Sequence, residues 1–543
     1  MRIEAGGFRR AQGSPLSSLP PFPPSFQGRA WTGDEAARRA SLVSGPFRAH
    51  PQVYLDAAGP AHVAEAVAWA AEHGLSIIPR GGGTGMPGGN LGPYVVLSVA
   101  DGLSGIEVDT ASETVVAGAG AVADAVDRAA RSTLGRRLPF LPASAAWCRV
   151  GGLVANDSAG AGTFGHGATH GWVEAVRGVD ARGNDVHLTR EGTSSGPLAE
   201  AMGRLANHPT LSALAAERDP EGRLPGWPRV RKNSSGYALD RFLSNGSRGQ
   251  PDALQLLVGS EGTLALITEV RFRTAPIPET RGVLLLPARG PDDLVALVLE
   301  LEGAGAVACE MLGRRFLEIT GLRHSGPAAP LARDAYALLL VEVEGTAPEV
   351  AAALDRCQAL GQRYGGPGLR ARSQAESDEL WRLRKAASPI IARQARQGLL
   401  STQFIEDCVV PVPALGRFLV ELDRILEAAR FDAVVFGHAG DGNIHVNPLV
   451  DVEAPDWHSR VRQALEAVAD LVADLGGTLA GEHGDGRLRA PFLERIWGPR
   501  LAGAFREVKE TLDPAGTLNP GVIVPLPGQD PLEGLSPRPR SHP

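Results

Sequence analysis

The spacing of apolar positions divides the chain into two unlike stretches. Between His62 and His73, the residues Val63, Ala66, Val67 and Ala70 fall on one helical face; Gly74 ends it, and Leu75 to Ile78 reads as a strand. Tyr94 to Val99 is a second apolar run. Thr114 to Val122 reads as a further strand carrying Val115 and Val116, and Ala123 to Arg131 as a helix. From about residue 276 the rhythm changes. Strand-like Gly282 to Leu286 and Tyr336 to Glu344 alternate with helical Pro291 to Glu302 and Pro348 to Gly361, which predicts an antiparallel sheet covered by helices. Val461, Leu465, Val468, Leu471, Val472 and Leu475 then recur at helical spacing. The expected class is α+β. The Pro-rich start and the tail beyond Pro525 predict disorder over 1–40 and 526–543, leaving domains over 41–275 and 276–505 and a C-terminal segment over 506–525.

Composition narrows the classes. With 43% hydrophobic and 21% charged residues, 543 positions suffice for two or more globular cores, and a net charge of −7 argues against nucleic acid as a partner. No run approaches the ~18 apolar residues of a membrane span and the start lacks a signal-peptide core, so the cytoplasm is the default location. Cys148, Cys309, Cys357 and Cys408 lie too far apart for a zinc ribbon or an iron–sulfur motif and read as reduced core residues.

Candidate chemistry begins at Pro79 to Asn90, where six glycines stand within nine residues: Gly81, Gly82, Gly83, Gly85, Gly88 and Gly89. Without Cβ atoms, successive N–H groups can converge into a concavity for an anion such as a pyrophosphate; Thr84 adds a hydroxyl donor and Arg80 a charge. A dinucleotide-type G-x-G-x-x-G requires a helix opening from the loop, and here a strand follows. A P-loop lysine is missing too, because the chain has only three lysines and none stands in G-K-[ST]. The alternative is a glycine loop with no ligand.

A second constellation is His438-Ala-Gly-Asp-Gly-Asn-Ile-His445, followed by Gly481-Glu482-His483-Gly484. Seven positions apart, the two histidines face opposite ways on a straight strand, and Gly-Asp-Gly-Asn forbids a stable helix, so the segment must be strand, tight turn, strand. With Glu482 they make a two-His, one-carboxylate metal set. Histidines that are merely packed are the bland alternative.

These motifs together resemble the FAD-linked oxidases of the vanillyl-alcohol-oxidase (PCMH-type) superfamily, in the branch of D-lactate and D-2-hydroxyglutarate dehydrogenases and the glycolate oxidase catalytic subunit. The resemblance covers about residues 50–525. It implies a PCMH-type two-subdomain FAD domain over 41–275 and a substrate cap over 276–505. Pro142, Ser144, Gly151, Gly152 and Asn156 would contact the isoalloxazine or pyrophosphate. Gly259, Glu261, Gly262 and Ile267, in a segment like the family's G-S-E-G-T-L, would hold the adenine side, and Asn519 would bond near the flavin ring. Where the family usually has lysine after N-P-G, this chain has Val522. Arg384 matches the arginine of an L-W-x-x-R segment that grips the substrate carboxylate, with a helix-surface charge as its bland alternative.

The implied reaction is metal-assisted oxidation of a D-2-hydroxy acid of the D-lactate, glycolate or D-2-hydroxyglutarate class. His483 acts as general base, and hydride passes to FAD. The divalent ion is expected to be zinc, with manganese or iron as alternatives. The electron acceptor is expected to be separate: a quinone, an iron–sulfur protein or an electron-transfer protein, which allows peripheral attachment at the inner membrane. Rival readings are a flavin oxidase or ether-lipid synthase of the same superfamily, or a non-catalytic flavin-binding subunit of a complex. Oligomeric state stays open.

Overall fold

A computed structural model describes residues 20–536 except 22, 24, 25, 27, 42, 191, 194, 195, 245–250, 386–390 and 392–397. The expected α+β class holds, and three sheets carry it. The first has four strands in the order Arg29–Thr32, Val53–Asp56, Val95–Ser98, Ile77–Arg80, the last three parallel. Parallel pairing needs a crossover, and the helix Pro60–Glu72 supplies it, burying Val63, Ala66, Val67 and Ala70 as their spacing requires. The glycine loop leaves the end of Ile77–Arg80 and returns into Val95–Ser98. The second sheet is antiparallel and six-stranded, with Val173–Asp180, Ala265–Arg273 and Thr114–Gly118 at its centre.

The third sheet forms the second half of the fold. Its order is Leu369–Arg370, Thr280–Ala288, Ala337–Gly345, Ala306–Gly313, Asp432–His438, Asn443–Asp451 and Leu399–Ser401, all antiparallel. Cys408–Val409 also pairs with Asn443–Asp451. Two apolar clusters cover its faces, one led by Leu284, Leu286 and Leu339 under the helices Pro291–Gly303 and Ala347–Tyr364, the other by Leu285, Leu338 and Leu340. Alternation along Thr280–Ala288 makes this inevitable, because successive residues point to opposite faces.

Three expected boundaries need correction. Residues 29–40 are a strand and a helix, not disordered: Gly33–Ala40 buries Ala36 and Ala40. Part of the tail is ordered as well. Leu532 is buried, Leu535 bridges to Phe47, and the Ser536 N–H donates to the Pro46 carbonyl. Both ends carry a few apolar residues that find a surface to cover, which a Pro-rich composition hides. The helix Leu493–Leu512, broken at Gly498-Pro499, packs Leu493, Leu501, Phe505 and Val508 into the core of the N-terminal half, so the chain returns there before residue 506. Of the rest of the expected disorder, 1–19, 22, 24, 25, 27 and 537–543 lie outside the described residues. All four cysteines are free and buried, as expected.

Candidate active site

A cleft of about 1190 Å³, open to solvent, runs between the two halves. Fifteen of the expected cofactor residues line it: Arg80, Gly81, Gly82, Gly83, Thr84, Gly85, Gly89, Pro142, Ser144, Gly151, Gly152, Asn156, Glu261, Gly262 and Ile267. His483 and Glu482 line it too, which joins the two motif sets in one site. Gly82 shows why the loop is bare. A Cβ there would lie 2.4 Å from the Trp147 carbonyl oxygen, closer than real Cβ contacts come.

Gly88, Gly259 and Asn519 do not line the cleft. Gly88 turns at φ +78 against Phe47, and Gly259 turns at φ +84 beside Asp157. Asn519, expected to bond near the flavin ring, makes its described bonds to the protein. Its amide donates to the Gly89 carbonyl at 3.0 Å and the Glu261 carbonyl at 2.8 Å, and its oxygen accepts from Arg487 Nη2 at 3.0 Å. Both amide hydrogens are thereby committed, and the side chain ties the loop to the segment at Glu261. Arg487 completes the tie by donating to the Gly88 and Pro520 carbonyls. Arg80, which lines the cleft, also donates from its guanidinium to the Ala40 carbonyl at 2.8 Å.

The histidine segment folds as its parity demanded. Asp432–His438 and Asn443–Asp451 are joined by a tight turn through Ala439–Asp441 and Gly442 at φ +69, where a Cβ would meet the Val410 carbonyl oxygen at 2.0 Å. His438 pairs with Asn443 and Phe436 with His445, so both histidines point to one face and their rings lie 5.1 Å apart. Glu482 enters from its own glycine-rich loop. Its Oε1 lies 3.4 Å from His438 Nε2, 3.3 Å from His445 Nε2 and 3.5 Å from His483 Nε2. Two donors bound to zinc at 2.0–2.1 Å and the tetrahedral angle stand ~3.3 Å apart, so the spacing fits a shared ion. The far nitrogens are anchored in the way metal-bound imidazoles are. His438 Nδ1 is 2.5 Å from Glu310 Oε1, and His445 Nδ1 is 3.0 Å from the Glu406 carbonyl.

Several partners were not legible in the motifs. Lys232, with a side chain 0% exposed, donates to Glu482 Oε2 at 2.7 Å. Burial acts to raise the Glu482 pKa, but Lys232 and then His438 outweigh it and hold the carboxyl well below its usual range. His483 Nδ1 lies 2.7 Å from Glu406 Oε1, which also accepts from Arg489 Nη2 at 2.8 Å. Burial lowers the His483 pKa, yet Glu406, then Asp407, dominate and raise it. Asp407 Oδ2 accepts from the N–H groups of Gly481, Glu482 and His483 at 3.0, 3.1 and 2.9 Å, fixing the loop. From the flavin side, Asn156 donates to the His483 carbonyl, and the Glu261 carboxylate accepts from Asp485 and Gly486.

Arg384 does not line the cleft. Its Nε donates to Glu310 Oε2 at 2.7 Å and its guanidinium lies 4.5 Å from the Phe436 ring centroid, so it reaches the histidine set through Glu310. Its Nη atoms make no hydrogen bond among the described residues.

Comparison with known proteins agrees with this architecture. Residues 51–189 match the model of an FAD binding domain, and residues 277–523 that of the FAD linked oxidases, C-terminal domain. The chain therefore belongs to the FAD-linked oxidases. It is an FAD-linked oxidoreductase, and relatives of it stand at a distance of about 28% identity. The glycolate oxidase subunit GlcD of Bacillus subtilis is 28% identical, covering 83% of this chain and 84% of that protein. A D-lactate dehydrogenase of Archaeoglobus fulgidus is 27% identical over 93% of this chain and 96% of its own. A D-2-hydroxyglutarate dehydrogenase of Pantoea ananatis is 28% identical over 92% of this chain, which spans only 51% of that longer protein. Among solved structures, the 4-ethylphenol oxidase from Gulosibacter chungangensis shares the fold at TM-score 0.65 and 13% identity, covering 92% and 94% of the two chains. No described helix is long and apolar enough to cross a membrane.

Proposed function

We propose that this chain is an FAD-dependent dehydrogenase that oxidises a D-2-hydroxy acid, of the glycolate, D-lactate or D-2-hydroxyglutarate class, to the 2-oxo acid with the help of a divalent ion. The observation that carries the reading is that Glu482 belongs both to the cleft and to the set it forms with His438 and His445, and that His483, also on the cleft wall, has its Nε2 3.5 Å from Glu482 Oε1. When bound, FAD at the glycine-lined cleft supplies the hydride acceptor and the ion at that set supplies Lewis acidity.

The chain's own residues do the rest. Glu406 fixes the His483 ring through Nδ1, which leaves Nε2 to take the substrate hydroxyl proton, and Arg489 holds Glu406 in turn. Glu310 occupies Nε of Arg384, so the paired Nη groups remain to grip a carboxylate. Asp407 and Asn156 keep the His483 loop in register with both halves. The division into an FAD domain and a substrate cap belongs to the same reading. So does a separate electron acceptor, whether a quinone, an iron–sulfur protein or an electron-transfer protein.

Anaerobic mixing of the purified protein with the D and L forms of one 2-hydroxy acid tests the proposal. The D form should bleach the flavin absorbance and the L form should leave it. Bleaching by neither form of lactate or 2-hydroxyglutarate, nor by glycolate, which has no stereocentre, would remove the substrate class.

A further inference from the structure

Two arginines line the flavin cleft, and they are placed differently. Arg80 points back to the Ala40 carbonyl and sits 5.7 Å from the Tyr54 ring centroid. Arg149 lays its stem along the glycine loop instead. A Cβ at Gly81 would lie 3.2 Å from Arg149 Cβ, and one at Gly82 would lie 3.5 Å from Arg149 Cγ. Its Nε is buried with no hydrogen-bond partner, and among the described residues no carboxylate pairs with its guanidinium. The two carboxylates on the cleft wall are engaged elsewhere: Glu261 accepts from Asp485 and Gly486, and Glu482 from Lys232.

A guanidinium with a buried Nε and no anion of the protein's own stands beside a loop whose backbone is bared for an anion. Arg149 is half-buried, so its guanidinium is only partly hydrated, and a phosphate would pair with the charge while accepting two N–H bonds from one planar fork. Resting on the FAD reading above, we propose that Arg149 is the counter-charge for the diphosphate of bound FAD. The glycine loop then supplies partial charges from N–H groups, and Arg149 the full one. Arg149 thus joins the cofactor residues, although it is outside every glycine motif.

Flavin-stripped full-length protein titrated with FAD and with riboflavin, which keeps the ring and lacks both phosphates, separates this role from a contact to the ring. Arg149→Gln should weaken FAD binding about 10- to 100-fold and leave riboflavin binding within about twofold. Equal loss for both ligands would place Arg149 on the ring or in the loop's own folding and overturn the proposal; unchanged FAD affinity would overturn it as well. Should the glutamine variant not fold, Arg149→Met decides, because it keeps the apolar stem along the loop and removes the charge. A several-fold drop in the ratio of FAD to riboflavin affinity supports the proposal and an unchanged ratio overturns it. Wild-type protein that binds neither flavin would remove the FAD reading itself, and this inference with it.

Discussion

Replacing Lys232 by methionine tests how the histidine site is neutralised. The lysine is 1% and Glu482 5% exposed, and the two pair at 2.7 Å. Removing one partner from a buried ion pair strands the other charge and costs about 3–5 kcal/mol. Glu482 would keep only the three imidazoles near its Oε1, each more than 3.2 Å away. In protein treated with chelator, Lys232→Met should therefore lower the thermal midpoint by about 3–4 °C, because ~2.1 cal/mol/K per residue gives a chain of 543 residues an unfolding entropy of about 1.1 kcal/mol/K. A divalent ion on His438, His445 and Glu482 would neutralise the same carboxylate. Ligand at about a hundred times its Kd adds about 2.7 kcal/mol. The ion should add more to the variant than to the wild type, because only the variant lacks another counter-charge. Scanning both proteins with chelator and with excess zinc gives the four midpoints required. An unchanged midpoint in the chelated variant would refute the electrostatic argument. A deficit of equal size with and without zinc would show that the ion is not held by Glu482.

Other outcomes follow from single contacts. Gly82→Ala should purify with little bound flavin, read from the visible spectrum, because its Cβ would collide with the Trp147 carbonyl oxygen at 2.4 Å; full occupancy would contradict the placement of the loop. Glu344 joins the halves by accepting from Arg137 Nη1 at 2.8 Å and pairing with His166 at 2.9 Å. Burial acts to raise its pKa, but the bonds from His166 and Arg137 outweigh that and bring it from 4.5 to about 2. A depressed carboxyl contributes stability that is full above the unfolded value of 4.5 and is lost as the pH falls toward about 2. Glu344→Gln should be less stable than wild type at pH 7, with the gap narrowing as the pH falls toward 3; a widening gap contradicts the sign. Turnover should be fast with an artificial dye and slow with oxygen, and equal rates would argue for an oxidase.

Local pattern carried much of the site because its constraints are local. The odd spacing of His438 and His445, with glycines between, admits only a strand–turn–strand, and the glycines of 81–89 announce a close approach wherever they occur. What stayed hidden depends on contacts between distant segments. Lys232 and Glu482 are 250 positions apart, and Glu406 and His483 are 77 apart. Neither pair has a spacing to read. One signal was present, since a chain with 54 basic residues and only three lysines buries two of them, Lys232 and Lys509, each on a carboxylate. The partners of Asn519 and Arg80 were hidden for the same reason, since Gly89, Glu261 and Ala40 lie outside the motif that contains each of them. The ordered ends, 29–40 and 530–536, were masked by Pro-rich neighbours.

The most direct test of the account is flavin reduction by a D-2-hydroxy acid in three anaerobic samples: protein as purified, protein stripped by chelator, and His438→Ala. The account predicts rapid bleaching in the first, an unbleached and otherwise normal flavin spectrum in the other two, and recovery of the stripped sample on adding zinc. Undiminished bleaching in metal-free protein would contradict it.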